Sequence, residues 1–126
     1  MEQEKITEEK AKQIVKRSSV SGTLALYAFI QSYEQNIAFD KIKIVNDNPN
    51  FGGSDYFYGF LVAFFSMELI QFNVVDDIIT ATYVDENLLN QVKKTINEWL
   101  KNETILHRVN EINTYFKQSP VTKPIK

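Results

Sequence analysis

Residues 69–84, LIQFNVVDDIITATYV, constrain the fold more than any other stretch. Two β-branched runs flank Asp76 and Asp77, and aspartate tolerates turn conformations that most side chains avoid. A two-residue turn there pairs Val75 with Ile78, Val74 with Ile79, Asn73 with Thr80, Phe72 with Ala81, Gln71 with Thr82 and Ile70 with Tyr83. Alternate pairs share a face. One face is then Ile70, Phe72, Val74, Ile79, Ala81 and Tyr83, all apolar or aromatic, and the other is Gln71, Asn73, Thr80 and Thr82. A slip of one residue would mix the two sets, so the register is strongly specified. Only the tip, Val75-Asp76-Asp77-Ile78, breaks the pattern, placing two aliphatic side chains on the polar face. They either make a cross-strand contact beside the turn or form an apolar tip that touches a partner.

A two-stranded ribbon is marginal in water by itself, so its apolar face must lie on helices. The rest of the 126-residue chain supplies them. The length fits one domain, expected over residues 1–118, with a Pro-broken, disordered tail over 119–126. The fold class expected is α+β: mostly helical, with one hairpin at about 70–83 and helical extensions at both ends. Hydrophobic residues make up 44% of the chain, too many for a disordered composition. There is no cysteine, which removes disulfides, thiolate metal sites and thiol nucleophiles and fits a cytoplasmic location. The net charge of −2 provides no global basic field to attract nucleic acid. The charged start, MEQEKITEEK, does not read as a signal peptide. The longest apolar run, Tyr56 to Met67, is shorter than the roughly 18 residues of a membrane span.

Along the chain, residues 7–17 predict a first helix capped by Thr7, with Glu8 and Glu9 at its positive end and a narrow stripe of Ala11, Ile14 and Val15. A core helix follows from about Ser21 to Asn36, with Leu26, Phe29, Ile30, Tyr33 and Ile37 at helical spacing. Residues 38–45 read as a short helix capped by Asp40 or as a strand alternating Ile42 and Ile44 with lysines. NDNPNFGG, residues 46–53, is a loop pinned by Phe51. Ser54 or Asp55 is expected to cap the next helix, which runs to about Glu68. Its apolar arc is Tyr56, Phe57, Phe60, Leu61, Phe64, Phe65 and Met67, which predicts a buried core helix. Gly59, Val62, Ala63 and Ser66 form a small, uncharged back that suits close approach by a partner or a second copy. Asp85 caps a helix through about Lys101. Beyond it Ile105, Val109, Ile112 and Phe116 lie about 150° out of phase with Ile96 and Leu100. Either a new helix begins near Thr104, or one long helix turns a second face toward a partner.

No catalytic constellation is visible. With one histidine and no cysteine, metal clusters and Ser-His or Cys-His pairs are not expected, and no cofactor is implied. His107 reads as a surface residue. Tyr56 and Tyr58 beside Asp55 would be the candidates for a small-molecule pocket wall.

The order helix, helix, short element, helix, hairpin, helix over residues 20–101 resembles that of winged-helix domains, with Phe65-Ser-Met-Glu-Leu-Ile-Gln-Phe as the passage from recognition helix to wing. The resemblance implies a dimeric DNA-binding regulator or a plasmid or phage accessory factor. Its terminal helices would dimerise and the helix at 54–68 would enter the major groove. The basic residues available are Lys10, Lys12, Lys16, Arg17, Lys41 and Lys43. Three features depart from a DNA reader: a long loop before the helix, Glu68 where such domains often place glycine, and a reading face without the Arg, Lys, Asn or Gln that recognise base edges. The second expectation is therefore a protein-interaction module or inhibitor on the same fold, and the third a small-molecule sensor.

Overall fold

The computed structural model describes residues 6–117. In chain order the elements are α1 (Glu8–Arg17), α2 (Val20–Gln35), β1 (Phe39–Asp40), α3 (Lys41–Asp47), a 3₁₀ turn (Pro49–Phe51), α4 (Ser54–Ser66), β2 (Ile70–Val75), β3 (Ile78–Val84), α5 (Glu86–Trp99) and α6 (Glu103–Tyr115). The fold is α+β: among the described residues, six helices surround a three-stranded antiparallel sheet of order β1-β3-β2. The tail expected over 119–126 lies outside the described residues.

The chain reverses at Asp76 and Asp77, and Asp76 takes the left-handed φ of 55° that such a turn demands. Pairing follows the sequence from Val75–Ile78 down to Phe72–Ala81. It then slips. Gln71 lies opposite Tyr83 and Ile70 opposite Val84, which leaves Thr82 as the extra residue of a β-bulge. The expected Gln71–Thr82 and Ile70–Tyr83 pairs are therefore displaced by one. The bulge restarts the alternation, so Val84 joins Ile70 in the core and Tyr83 stays half-buried.

Of the two readings of residues 38–45, the helix capped by Asp40 holds, and the strand alternating Ile42 and Ile44 with lysines does not, since both isoleucines lie in α3. Phe39 and Asp40 pair with Ile79 and Ile78 as a short third strand. The chain then enters α3 at once, because the Asp40 carboxylate accepts from the amides of Ile42 (2.9 Å) and Lys43 (3.1 Å). The phase break after Leu100 is resolved as two helices. Asn102, rather than Thr104, is the cap, accepting from the amides of Thr104 and Ile105.

The core is built on α2, where every residue from Gly22 to Ile30 is buried. The sheet, α4, α5 and α6 pack around it. Its polar side chains need partners inside the molecule, and the Tyr27 hydroxyl donates to Asn113 Oδ1 on α6 at 2.9 Å. Burial raises the Tyr27 pKa, and the charge of Glu34 adds a smaller raising effect. Burial also raises that of Tyr115, where the bond from the Asp40 amide opposes it and the charges of Asp40 and Asp47 reinforce it. A phenol whose folded pKa is raised stabilises the fold fully below its unfolded pKa of about 10, and that stability is lost as pH climbs through the folded value. Melting temperature is thus expected to fall above pH 10, and more steeply in the parent protein than in Tyr27→Phe. Thermal unfolding followed by circular dichroism from pH 8 to 11 reads the difference.

α4 starts differently from expectation. Gly53 at φ 133°, a conformation L side chains rarely adopt, is the cap, and no side chain caps the helix. Its end is a Schellman turn: the Glu68 amide donates to Phe65 O (2.9 Å) and the Leu69 amide to Phe64 O (3.1 Å). Glu68 holds the left-handed position at φ 63°, which costs a side chain with a Cβ free energy that glycine avoids. Glu68→Gly is expected to stabilise the fold by about 0.5–1 kcal/mol. A rise of about 2–4 °C in Tm on a calorimetric scan would register it.

Candidate interaction surface

α4 buries Phe57, Leu61 and Phe64 against α2 and α3 and flanks β2. With about 100° per residue, these three side chains occupy one side of the helix. The opposite side faces solvent. Gly59, Val62, Ala63 and Ser66 are all exposed there, as is Tyr56 at 69% and Met67 at 50%. The expected wide buried arc is therefore wrong at Tyr56, Phe65 and Met67: the helix lies at the edge of the core and not through it. What remains is an uncharged, partly aromatic surface, bounded by Asp55 at one end and Glu68 at the other. Exposed apolar clusters of this kind mark contact sites more often than scattered single residues do.

The β2 flank of α4 carries a second aromatic group. Phe72 receives three rings edge-on: Phe29 from α2 at 5.8 Å, and Tyr58 and Phe65 from α4 at 6.0 and 5.1 Å. Sequence reading missed this cluster. The signal was present in Tyr58 and Phe65, seven residues apart and so on one side of a helix. At the hairpin tip, Val75 and Ile78 pair in register and both are exposed, Val75 at 71%.

The other half of the expected partner surface is not available. Val109, Ile112 and Phe116 are buried within the chain, and Ile105 packs against the same core. The out-of-phase face of α6 exists because α6 turns back onto α2 and α3, so it serves the interior and not a second subunit.

The basic residues fall on separate elements. Lys10, Lys12, Lys16 and Arg17 are exposed on α1, which packs on α5. Lys43 is exposed on α3. Lys41 is half-buried, with its Nζ 4.7 Å from the centre of the Tyr58 ring. The hairpin tip comes down onto the same helix start, since the Lys41 amide donates to Asp77 O at 2.9 Å. The acidic turn of the hairpin thus meets the chain at the start of α3, at Lys41.

A cleft of about 410 Å³ opens between α3 and α6, lined by Lys43, Asp47, His107, Glu111, Tyr115 and Lys117 among others. His107 is a surface residue, as expected, with Nε2 3.4 Å from Glu111 Oε1. The Tyr115 hydroxyl accepts from the Asp40 amide at 3.0 Å, which holds it as a structural strut. Among the described residues, no three His, Cys, Asp or Glu side chains are placed to hold a metal ion, and no helix is long and apolar enough to cross a membrane. Comparison of the chain with protein-family models, curated proteins and solved structures returned no match.

Proposed function

We propose that the chain is a protein-interaction module on a winged-helix-like scaffold, with the outer side of α4 as its contact surface. The scaffold reading rests on the succession α2, β1, α3, α4, β2, β3 and on the sheet order β1-β3-β2. The observation that carries the function is the chemistry of α4. The helix that would read bases in such a scaffold offers Tyr56, Gly59, Val62, Ala63, Ser66 and Met67 to solvent. None is an Arg, Lys, Asn or Gln, the side chains that read base edges with paired hydrogen bonds, and an apolar surface against hydrated phosphates gains nothing. Against a protein the same surface buries apolar area. The absence of cysteine suits work in a reducing cytoplasm. The test is affinity capture from nuclease-treated native lysate with the parent chain and with Val62→Glu/Ala63→Glu. Both positions are exposed, so the variant is expected to fold, as circular dichroism will verify. A protein captured by the parent and lost by the variant is expected. Equal capture by both, or recovery of nucleic acid alone, overturns the reading.

A second reading, a DNA-binding regulator, draws on the four exposed basic side chains of α1. It requires salt-sensitive binding to random duplex by micromolar protein at about 50 mM salt, where nonspecific binders show electrostatic affinity. No shift under those conditions removes it.

A further inference from the structure

We infer that two copies of this chain associate through the outer edge of β2, strand against strand. In the order β1-β3-β2, β2 is the long edge of the sheet. The other edge, β1, is two residues long and is closed at once by α3. On β2 the register fixes which backbone groups face outward. Gln71, Asn73 and Val75 lie opposite Tyr83, Thr80 and Ile78, and the Leu69 carbonyl accepts from the Asp85 amide at 2.8 Å. Alternate residues of an antiparallel strand bond to alternate sides, so the amides and carbonyls of Phe72 and Val74 turn to the outer edge.

Protein edges are normally guarded by Lys, Pro, inward charges or a bulge. The six residues IQFNVV carry no charge and no proline. The one bulge has its extra residue on β3 and leaves Phe72 to Val75 regular. Below this edge Phe65 and Val74 are partly exposed, and Phe65 stacks edge-on against Phe72. A second copy is the occupant that fits. An antiparallel strand is complementary to itself about a two-fold axis, so each chain supplies the edge the other needs. Two identical strands would also repel if either carried charge, and this one carries none. The two-fold contact forms a six-stranded sheet and brings the Phe65, Phe72 and Val74 of both copies together beneath it. It leaves the outer side of α4 open, so it stands independently of the function proposed above.

Sedimentation equilibrium of the full chain tests this. The parent is expected to be dimeric at roughly 100 µM, a concentration that populates any complex of micromolar affinity. Val74→Lys places a charge on the edge and is expected to weaken the dimer at least about tenfold. Val74→Pro removes an outward amide while sparing the bonds to β3, and is expected to be monomeric. Should the proline variant fail to fold, the lysine variant decides. Hydrogen exchange gives a second readout, with the amides of Phe72 and Val74 protected at high concentration and exposed on dilution. A monomeric parent, a dimer that survives Val74→Lys, or a dimer broken only by Val62→Glu/Ala63→Glu overturns the inference.

Discussion

Replacing Phe39 by alanine is expected to cost about 3–5 kcal/mol, the range for deleting a buried aromatic ring. Phe39 is fully buried at the point where three elements meet. Its ring stands edge-on to Phe57 of α4 at 6.0 Å and to Phe116, the residue that closes α6, at 6.1 Å. Its backbone pairs with Ile79 of β3. Phe57 in turn meets Phe51 at 4.9 Å, so the ring chain reaches the loop before α4. The cavity left by alanine cannot be filled from one side, because sheet, α4 and α6 are each held by other contacts. Single domains are stable by only about 5–15 kcal/mol, so a fifth or more of the total is at stake. Chemical denaturation monitored at Trp99 measures it, and a loss below about 1 kcal/mol would contradict this account of the core.

Asp85→Ala carries the second large effect, about 2–3 kcal/mol. Asp85 is almost completely buried, and both carboxylate oxygens are used. Oδ1 accepts from the Leu88 amide at 3.0 Å and so caps α5. Oδ2 accepts from the Ile6 amide at 3.0 Å and ties down the segment leading into α1. Losing a helix cap costs about 1 kcal/mol. Leaving a partly buried amide without its acceptor adds about 1–2 more. The loss is expected to loosen α1 as well as α5, because Asn87 Nδ2 donates to Ile6 O at 2.6 Å from the same corner. Amide exchange in residues 8–17 should quicken along with a fall of about 8–12 °C in Tm. Asp85→Asn keeps an acceptor for one amide and is expected to fall between the two.

The sequence disclosed what depends on local chemistry. The turn aspartates, the strand pairing from Val75–Ile78 to Phe72–Ala81 and the caps Thr7, Asp40 and Asp85 each act within a few residues, and each is found in its expected role. The bulge opposite Gln71 was hidden, because Thr82 and Tyr83 suit a strand in either register and only the burial of Val84 decides between them. The misjudged exposure of α4 has a similar origin. Periodicity reports that one side of a helix is apolar, but Tyr56, Phe65 and Met67 are apolar whether a neighbour covers them or not. The out-of-phase face of α6 fits either a new helix or a partner-facing one in sequence, because the reversal at Asn102 that brings it onto α2 has no periodic signature. The candidate surface on α4 is thus only half legible in sequence: its small-residue side is visible, its aromatic rim is not.

The strut from Tyr115 to the Asp40 amide spans 75 residues of chain. Together with Phe116 over Phe39, it makes α6 the lid of a strand laid down far earlier in the chain. While the polypeptide is being synthesised, β1 must wait for the 75 residues after Asp40, up to Tyr115, before this side of it is covered. Long-range closure of this sort slows folding. A nascent chain halted after α5 would carry an uncovered phenylalanine and a strand edge, the surfaces that chaperones capture.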